Sequence, residues 1–464
     1  MTSALPPDAA ERALALDTRR SFIVQAPAGS GKTELLIRRY LALLGTVEDP
    51  EEIVAITFTR KAAAEMRQRV LKKLEEMGSP LAENPARLRI QTIDSLCASL
   101  TRQMPMLSKF GAQPESIDDA RDLYEEAALA TIALVEEPAD GKVPNAVASH
   151  IERLLDHLDN DVGRVQGLLA DMLARRDHWV RHLRRMGRAD LEAALVAQRA
   201  RIVEEARALY PRADPGDVQA WQALAQSLLT KKGEWRKASK EAQAYAGEGA
   251  AREPLCEILQ TLQALPPAQY SDVQAEVLEA IGGLLPHAIA QLKLVFQARG
   301  QVDFTEISQG ALLALGAEGE PTDLALALDY RIRHLLIDEF QDTSISQYEL
   351  VARLTEGWEP GDGRTLLAVG DPMQSIYRFR EAEVGLFLQA RREGIGTVAL
   401  EPVELRANFR SQEGIVAWVN AAFSRVMPAR EDVATGAVAY RDSVPVHPRL
   451  AGDAVTVHPF FDKD

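Results

Sequence analysis

The residues best equipped for chemistry are Ala26-Pro27-Ala28-Gly29-Ser30-Gly31-Lys32-Thr33, an octet set between an apolar run and a helical pattern. Gly29 and Gly31 let the backbone curl until successive N–H groups converge on phosphate oxygens. A helix starting near Lys32 aims its unsatisfied N–H groups and positive dipole end at the same anion. Lys32 supplies a point charge for the β- and γ-phosphates, and the Thr33 hydroxyl is suited to ligate Mg2+. Ala26 stands where the strict pattern has its first glycine, one small residue for another. The octet reads as a P-loop that takes a nucleoside triphosphate with Mg2+. A second group, Asp338-Glu339, closes the apolar run Leu335-Leu336-Ile337. There Asp338 would hold the magnesium shell, and Glu339 would orient and deprotonate the attacking water.

Such a site needs a sheet whose strand ends carry both loops. Short, continuously apolar runs occur at FIVQA (22–26), IVAITF (53–58), LRIQTI (88–93), HLLIDEF (334–340) and TLLAVGD (365–371). Runs of this kind suit strands buried on both faces of a parallel sheet. Helical patterns follow the first two, ELLIRRYLALL and RKAAAEMRQRVLKKLEEM. The alternation predicts one doubly wound α/β domain. From about 115 to 298 the pattern changes to apolar residues at helical spacing, as in IERLLDHLDNDVGRVQGLLADMLA, with few strand-like runs. This middle third reads as an all-helical insertion.

Length and composition limit the alternatives. The 464 residues suggest about three domains at roughly 150 residues each. With 46% hydrophobic and 26% charged residues the chain is neither disordered nor collagen-like. No run approaches the ~18 apolar residues of a membrane span, and the acidic start does not resemble a secretory signal. Two cysteines, Cys97 and Cys256, cannot build a disulfide framework or a multi-cysteine zinc site. A soluble, cytoplasmic protein is expected. The net charge of −15 argues against a coat-like nucleic-acid binder, but leaves room for one positive groove.

Further segments decide what the nucleotide drives. ITFTRKAAAEM (56–66), QTIDSL (91–96), DEFQD (338–342), VGDPMQSIYRFR (369–380) and LRANFRS (405–411) follow the P-loop in order. Together they resemble the motifs of the UvrD/Rep superfamily 1 DNA helicases. GDPMQSIYRFREAEVGLF and the long insertion resemble the RecB/AddA-like branch, the exonuclease V β-subunit type. The resemblance implies a RecA-like P-loop domain in two stretches, 1–112 and 299–395. It implies a helical insertion at 113–298 and the start of a second RecA-like lobe at 396–464. Gln341 and Gln374 resemble side chains that sense the γ-phosphate. Arg410 resembles an arginine that reaches it from the second lobe, and Tyr377 an aromatic near nucleotide and strand. Phe58, Thr59, Thr92, Phe379 and Arg380 are similar to residues of a single-strand track, where bases stack on aromatic faces. Each aromatic taken alone reads more readily as core.

The chain departs from the family pattern at three places. Phe379 stands where Trp is common, and Phe409 where Tyr is common, so stacking on adenine survives without hydroxyl contacts. The adenine-reading glutamine of many relatives is replaced by Glu11 or a neighbour, which leaves adenine specificity open. Two basic stretches, 175–188 with Trp179 and 231–240 with Trp235, suit either DNA contact or solvated helix faces. The family also implies two later motifs, one carrying an arginine finger, and often a nuclease domain. None is recognisable before Asp464, so the chain is expected to be an N-terminal fragment with weak turnover. The implied activity is ATP-dependent 3′–5′ translocation or unwinding of DNA in recombination and double-strand-break repair. The implied partner, besides DNA, is a second helicase–nuclease subunit. The alternative is an ATP-binding, non-unwinding assembly module. A small-molecule kinase leaves Gln341, Gln374 and 405–411 unexplained.

Overall fold

The computed structural model describes residues 5–105, 114–136, 145–185, 187–209, 215–237, 240, 252–265, 267–317, 319–375, 383–428, 430–433, 436–456 and 458. The chain divides into two compact units, one made of 1–118 with 300–464 and the other of 119–299.

In the first unit, strands β1 (Phe22–Gln25), β2 (Ile53–Thr57) and β3 (Arg89–Thr92) come first. Two short pairs follow: β4 (Glu115–Ser116) parallel to β5 (Gln301–Val302), and β6 (Gly316–Ala317) antiparallel to β7 (Glu320–Pro321). Then come β8 (His334–Ile337), β9 (Thr365–Gly370) and β10 (Glu401–Glu404). Six of these form one sheet in the order β10-β1-β9-β8-β2-β3, parallel throughout. The five apolar runs thus become adjacent strands of an α/β fold, four of them buried throughout and β3 at alternate residues. The sixth strand lies outside those runs. Its sequence, EPVE, is short and polar and carries Pro402, which an edge strand accommodates because one side of its ladder is unpaired. Accordingly the stretch 396–464, expected to open a second lobe, first completes this sheet. Only afterwards do β11 (Ala407–Gln412) and β12 (Val444–His447) pair into a separate two-stranded sheet.

Helices α2 (Lys32–Leu44) and α3 (Arg60–Glu76) pack Leu36, Tyr40, Val70 and Leu74 against Phe22, Val24, Ile90 and Leu367 of the sheet. A short α1 (Ala9–Leu14) precedes β1. Helix α4 (Ile93–Gln103) packs on the helix Phe304–Leu315, which in turn packs on the helix Ile345–Leu354.

The second unit is helical. The predicted run from 151 to 174 breaks into helices Asn145–His157 and Val162–Ala174, because Asp159 and Asn160 adopt left-handed backbone at φ 55° and 60°. By contrast Asp272–Arg299 is one helix that continues through Pro286. Two apolar clusters organise this unit, one around Trp221, Leu228 and Leu259, the other around Ile151, Leu169 and Leu284. No described helix is long and apolar enough to cross a membrane.

Candidate nucleotide site and nucleic-acid groove

β1 is wholly buried, and its ladder extends one bond further, from Ala26 N–H to the Gly370 carbonyl at 2.9 Å. The chain then turns through Pro27–Gly31. Gly29 (φ 78°) and Gly31 (φ 79°) both sit in the left-handed region, which explains the glycine at each position. Ser30 N–H closes the turn on the Pro27 carbonyl at 3.1 Å, and Lys32 opens α2. No side chain caps that helix start, so its N–H groups remain available to an anion. The Ser30 hydroxyl is buried with no hydrogen-bond partner among the described residues, an unsatisfied group within the loop.

β8 delivers Asp338 and Glu339 to the same carboxyl edge of the sheet, with β9 between β8 and β1. The Lys32 ammonium donates to Glu339 Oε2 at 2.9 Å, so the two sequence-distant groups meet. Glu339 has φ 52°, strain that a non-glycine residue sustains only where the surroundings enforce it. Gln341 donates to the same Glu339 oxygen at 2.9 Å and accepts the Asp371 N–H at 2.9 Å. Gln374 donates to Asp371. Lysine, acid and both glutamines therefore form one hydrogen-bonded chain across three strand ends.

Burial pushes the Asp338 carboxyl up to about 7, helped by the neighbouring Glu339 charge and opposed by Lys32. Burial likewise raises Asp342 to about 6 and lifts Asp371. Buried acids with only one nearby lysine suit a hard divalent cation. Among the described residues no cluster of three or more could hold a metal by itself. Magnesium, however, takes one or two protein oxygens and completes its shell with phosphate and water, so Asp338 and half-buried Thr33 fit it.

The segment at 405–411 lies on the P-loop. Phe409 N–H donates to the Gly29 carbonyl at 2.8 Å, and a Cβ added to Gly29 would stand 2.8 Å from Arg410 Cβ. A pocket of about 310 Å3 brings Pro27, Ala28, Gln374 and Arg410 together against Val416 and Phe423 of the helix Glu413–Val426. The Arg12 guanidinium lies 5.1 Å from the centre of the Phe409 ring. No local signal in the sequence marks Arg12 or Asp8, and Glu11, named as the adenine reader's replacement, is exposed.

Phe58, Thr59 and Thr92 line a second groove of about 540 Å3, together with Arg60, Arg102 and Phe304. Thr59 and Thr92 each cap a helix, accepting from Ala62 N–H and Ser95 N–H at 3.1 Å. Each hydroxyl oxygen accepts in a cap, so two helix N-termini stand at the groove together with the threonine side chains that line it. Arg60 had a visible signal, standing beside Thr59. Arg102 and Phe304 had none, since helix packing brings them in. Tyr377, Phe379 and Arg380 lie outside the described residues.

Part of each basic stretch is tied into the fold, while Arg175, Arg181, Lys231, Lys232, Lys237 and Lys240 are exposed. Arg176 is buried, Trp179 donates to the Met172 carbonyl, and Arg188 pairs with Glu192 and Asp272. Trp235 packs on the Trp221 cluster, and Arg236 donates to the Gln226 and Leu229 carbonyls.

The sequence profile of the UvrD/REP helicase N-terminal domain matches residues 8–394. The chain belongs to the UvrD/REP helicase family. Within this family it is similar to an ATP-dependent helicase/nuclease subunit of Lysinibacillus sphaericus, 26% identical over 95% of the chain and 42% of the relative. The subunit of the same name from Exiguobacterium sibiricum is 28% identical over 93% of the chain and 41% of the relative. That of Desulforudis audaxviator is 28% identical over 95% and 42%. The chain thus spans about two fifths of the length of these relatives. The UvrD/REP match takes in the P-loop, Asp338-Glu339 and Gln374, whereas Phe409 and Arg410 lie beyond it.

Proposed function

We propose that this chain is the ATP-binding portion of an ATP-dependent DNA translocase or helicase. The observation that carries the reading is the 2.9 Å contact between Lys32 and Glu339 at one sheet edge. Lys32 and the loop 26–31 hold the phosphates, and Thr33 with Asp338 holds Mg2+, which neutralises charge that builds during phosphoryl transfer. Glu339 takes the proton of the attacking water. Gln341 and Gln374 sense the γ-phosphate, and Arg410 adds charge beside the loop. Phe409 stacks on the base. Phe58, Thr59 and Thr92 line the path of a single strand, with Tyr377, Phe379 and Arg380 as further contacts by resemblance. The lobe comprises 1–112 and 299–395 around the insertion 113–298, with β10 as its added edge strand, and β11, β12 and their helix open a second lobe. By analogy with the names of its relatives, the whole protein works within a helicase–nuclease of more than one subunit; movement 3′–5′ in recombination and break repair follows from the motif resemblance alone.

The test is ATP hydrolysis with and without single-stranded DNA. Stimulation by the strand, abolished in Lys32→Ala and in Glu339→Gln, is the expected outcome. For Glu339→Gln, loss of a general base lowers turnover by about 10^2–10^4 while ATP still binds. Hydrolysis indifferent to DNA would favour an ATP-liganded assembly module instead.

A further inference from the structure

Three consecutive carbonyls of the P-loop are each held from outside the loop. Ala28 O accepts from Asn408 Nδ2 at 3.1 Å, Gly29 O from Phe409 N–H at 2.8 Å, and Ser30 O from Arg12 Nη2 at 2.7 Å. In a trans peptide the carbonyl and the following N–H point in opposite directions. Securing these oxygens therefore turns the N–H groups of Gly29, Ser30 and Gly31 away from the donors. Ser30 N–H closes the turn on Pro27, which leaves those of Gly29 and Gly31 to face an anion.

One buried side chain organises all three donors. Asp8, 2% exposed, accepts from Arg12 Nε at 2.7 Å and Nη2 at 3.0 Å. Its Oδ2 also accepts the N–H groups of Arg406 and Ala407, each at 2.9 Å, immediately before Asn408 and Phe409. Burial opposes the Asp8 charge, yet the guanidinium and both amides hold its carboxyl below the usual carboxylate range. Asn408 Oδ1 meanwhile accepts from Arg410 and Ser411 N–H, which keeps its amide group aimed at Ala28.

We propose that Asp8 and Arg12, with Asn408, are positioning residues that preset the P-loop amides for the phosphates, irrespective of the base. The inference rests on reading the loop as a triphosphate site. It gives the region just ahead of β1 a role on the phosphate side of the ligand rather than in adenine recognition.

The experiment measures the Kd of a fluorescent ATP analogue and of competing magnesium tripolyphosphate, which has no base. The 464-residue chain is compared with Asp8→Asn, Arg12→Met and the double variant, with Tm recorded for each. Expected is a weakening of both probes by a similar factor, on the order of tenfold, with the double variant no worse than the singles because the pair acts as a unit. Should Asp8→Asn fail to fold, Asn408→Ala, on the half-buried side of the clamp, gives the same reading. Unchanged Kd values with a lowered Tm would overturn the proposal, leaving only a structural brace. So would weakening of the ATP analogue alone, which would make Arg12 a base reader. If the unsubstituted chain binds neither probe, the triphosphate reading itself fails, an outcome distinct from unchanged variants.

Discussion

Asp338 carries the sharpest pH consequence of any side chain in the site. Its folded carboxyl titrates at about 7 because of burial and the adjacent Glu339 charge, against an ordinary value of 3.8. Between those values the folded chain holds a proton that the unfolded chain has released. This group's contribution to metal-free stability therefore falls as pH rises from about 4 to about 7, then levels off. Urea unfolding at pH 5 and pH 8 without metal should show that decline, and Asp338→Asn should flatten it. Mg2+ must compete with the same proton, so its affinity with nucleotide should climb across the interval. At this scale Lys32, Asp338 and Glu339 were legible because a glycine-rich turn and an acid after an apolar run are local signals. Asp8 and Arg12 were not, since what they do depends on partners nearly 400 residues away. Nor was the backbone of Glu339, whose positive φ is imposed by packing.

Among elements, the connection between α1 and β1 depends on a residue of α2. Arg39 is fully buried and donates to the carbonyls of Ala15, Asp17 and Arg20, each at 2.7 Å. Arg39→Met keeps the apolar bulk but strands three acceptors, and should cost about 2–4 kcal/mol in urea unfolding. If stability is unchanged, the carbonyls find water and the buried cation is dispensable. The interior strands β1, β2, β8 and β9 were readable because burial on both faces demands continuous apolar sequence, and the edge strand β3 because Leu88, Ile90 and Ile93 mark its run. β10 was not, because an edge strand needs no such run and tolerates Pro402. The break at Asp159-Asn160 was equally hidden, since the apolar periodicity continues on either side of it.

For the whole molecule, the −15 charge bears on the polyanionic partner proposed above. The groove holding Phe58 and Phe304 contributes two exposed arginines, Arg60 and Arg102, and two capped helix starts. Few phosphates can be neutralised there. With two or three such contacts, log K for single-stranded DNA should fall with log salt at a slope of roughly −2, shallow for a nucleic-acid binder. Fluorescence anisotropy over a salt series checks this, and a slope several times steeper would place the main contacts elsewhere. The helical character of 119–299 was evident from the lack of strand-like runs, whereas its basic stretches left DNA contact and a solvated face equally open. Composition alone cannot distinguish a cation aimed at solvent from one tied to a carbonyl or a carboxylate.

The bare Cα at the tip of β9 has one more implication. A methyl group on Gly370 would sit 2.5 Å from Gln341 Oε1 and displace the carboxamide, breaking its bonds to Glu339 and to Asp371 N–H, while the Lys32–Glu339 pair is not among the methyl's nearest neighbours. On the proposed motor reading, Gly370→Ala should then behave like a slipping clutch: fuel is still consumed, but the advance along the strand per ATP drops. Comparing ATP used with distance travelled would expose the slip, and unchanged economy would mean that the signal bypasses this glutamine.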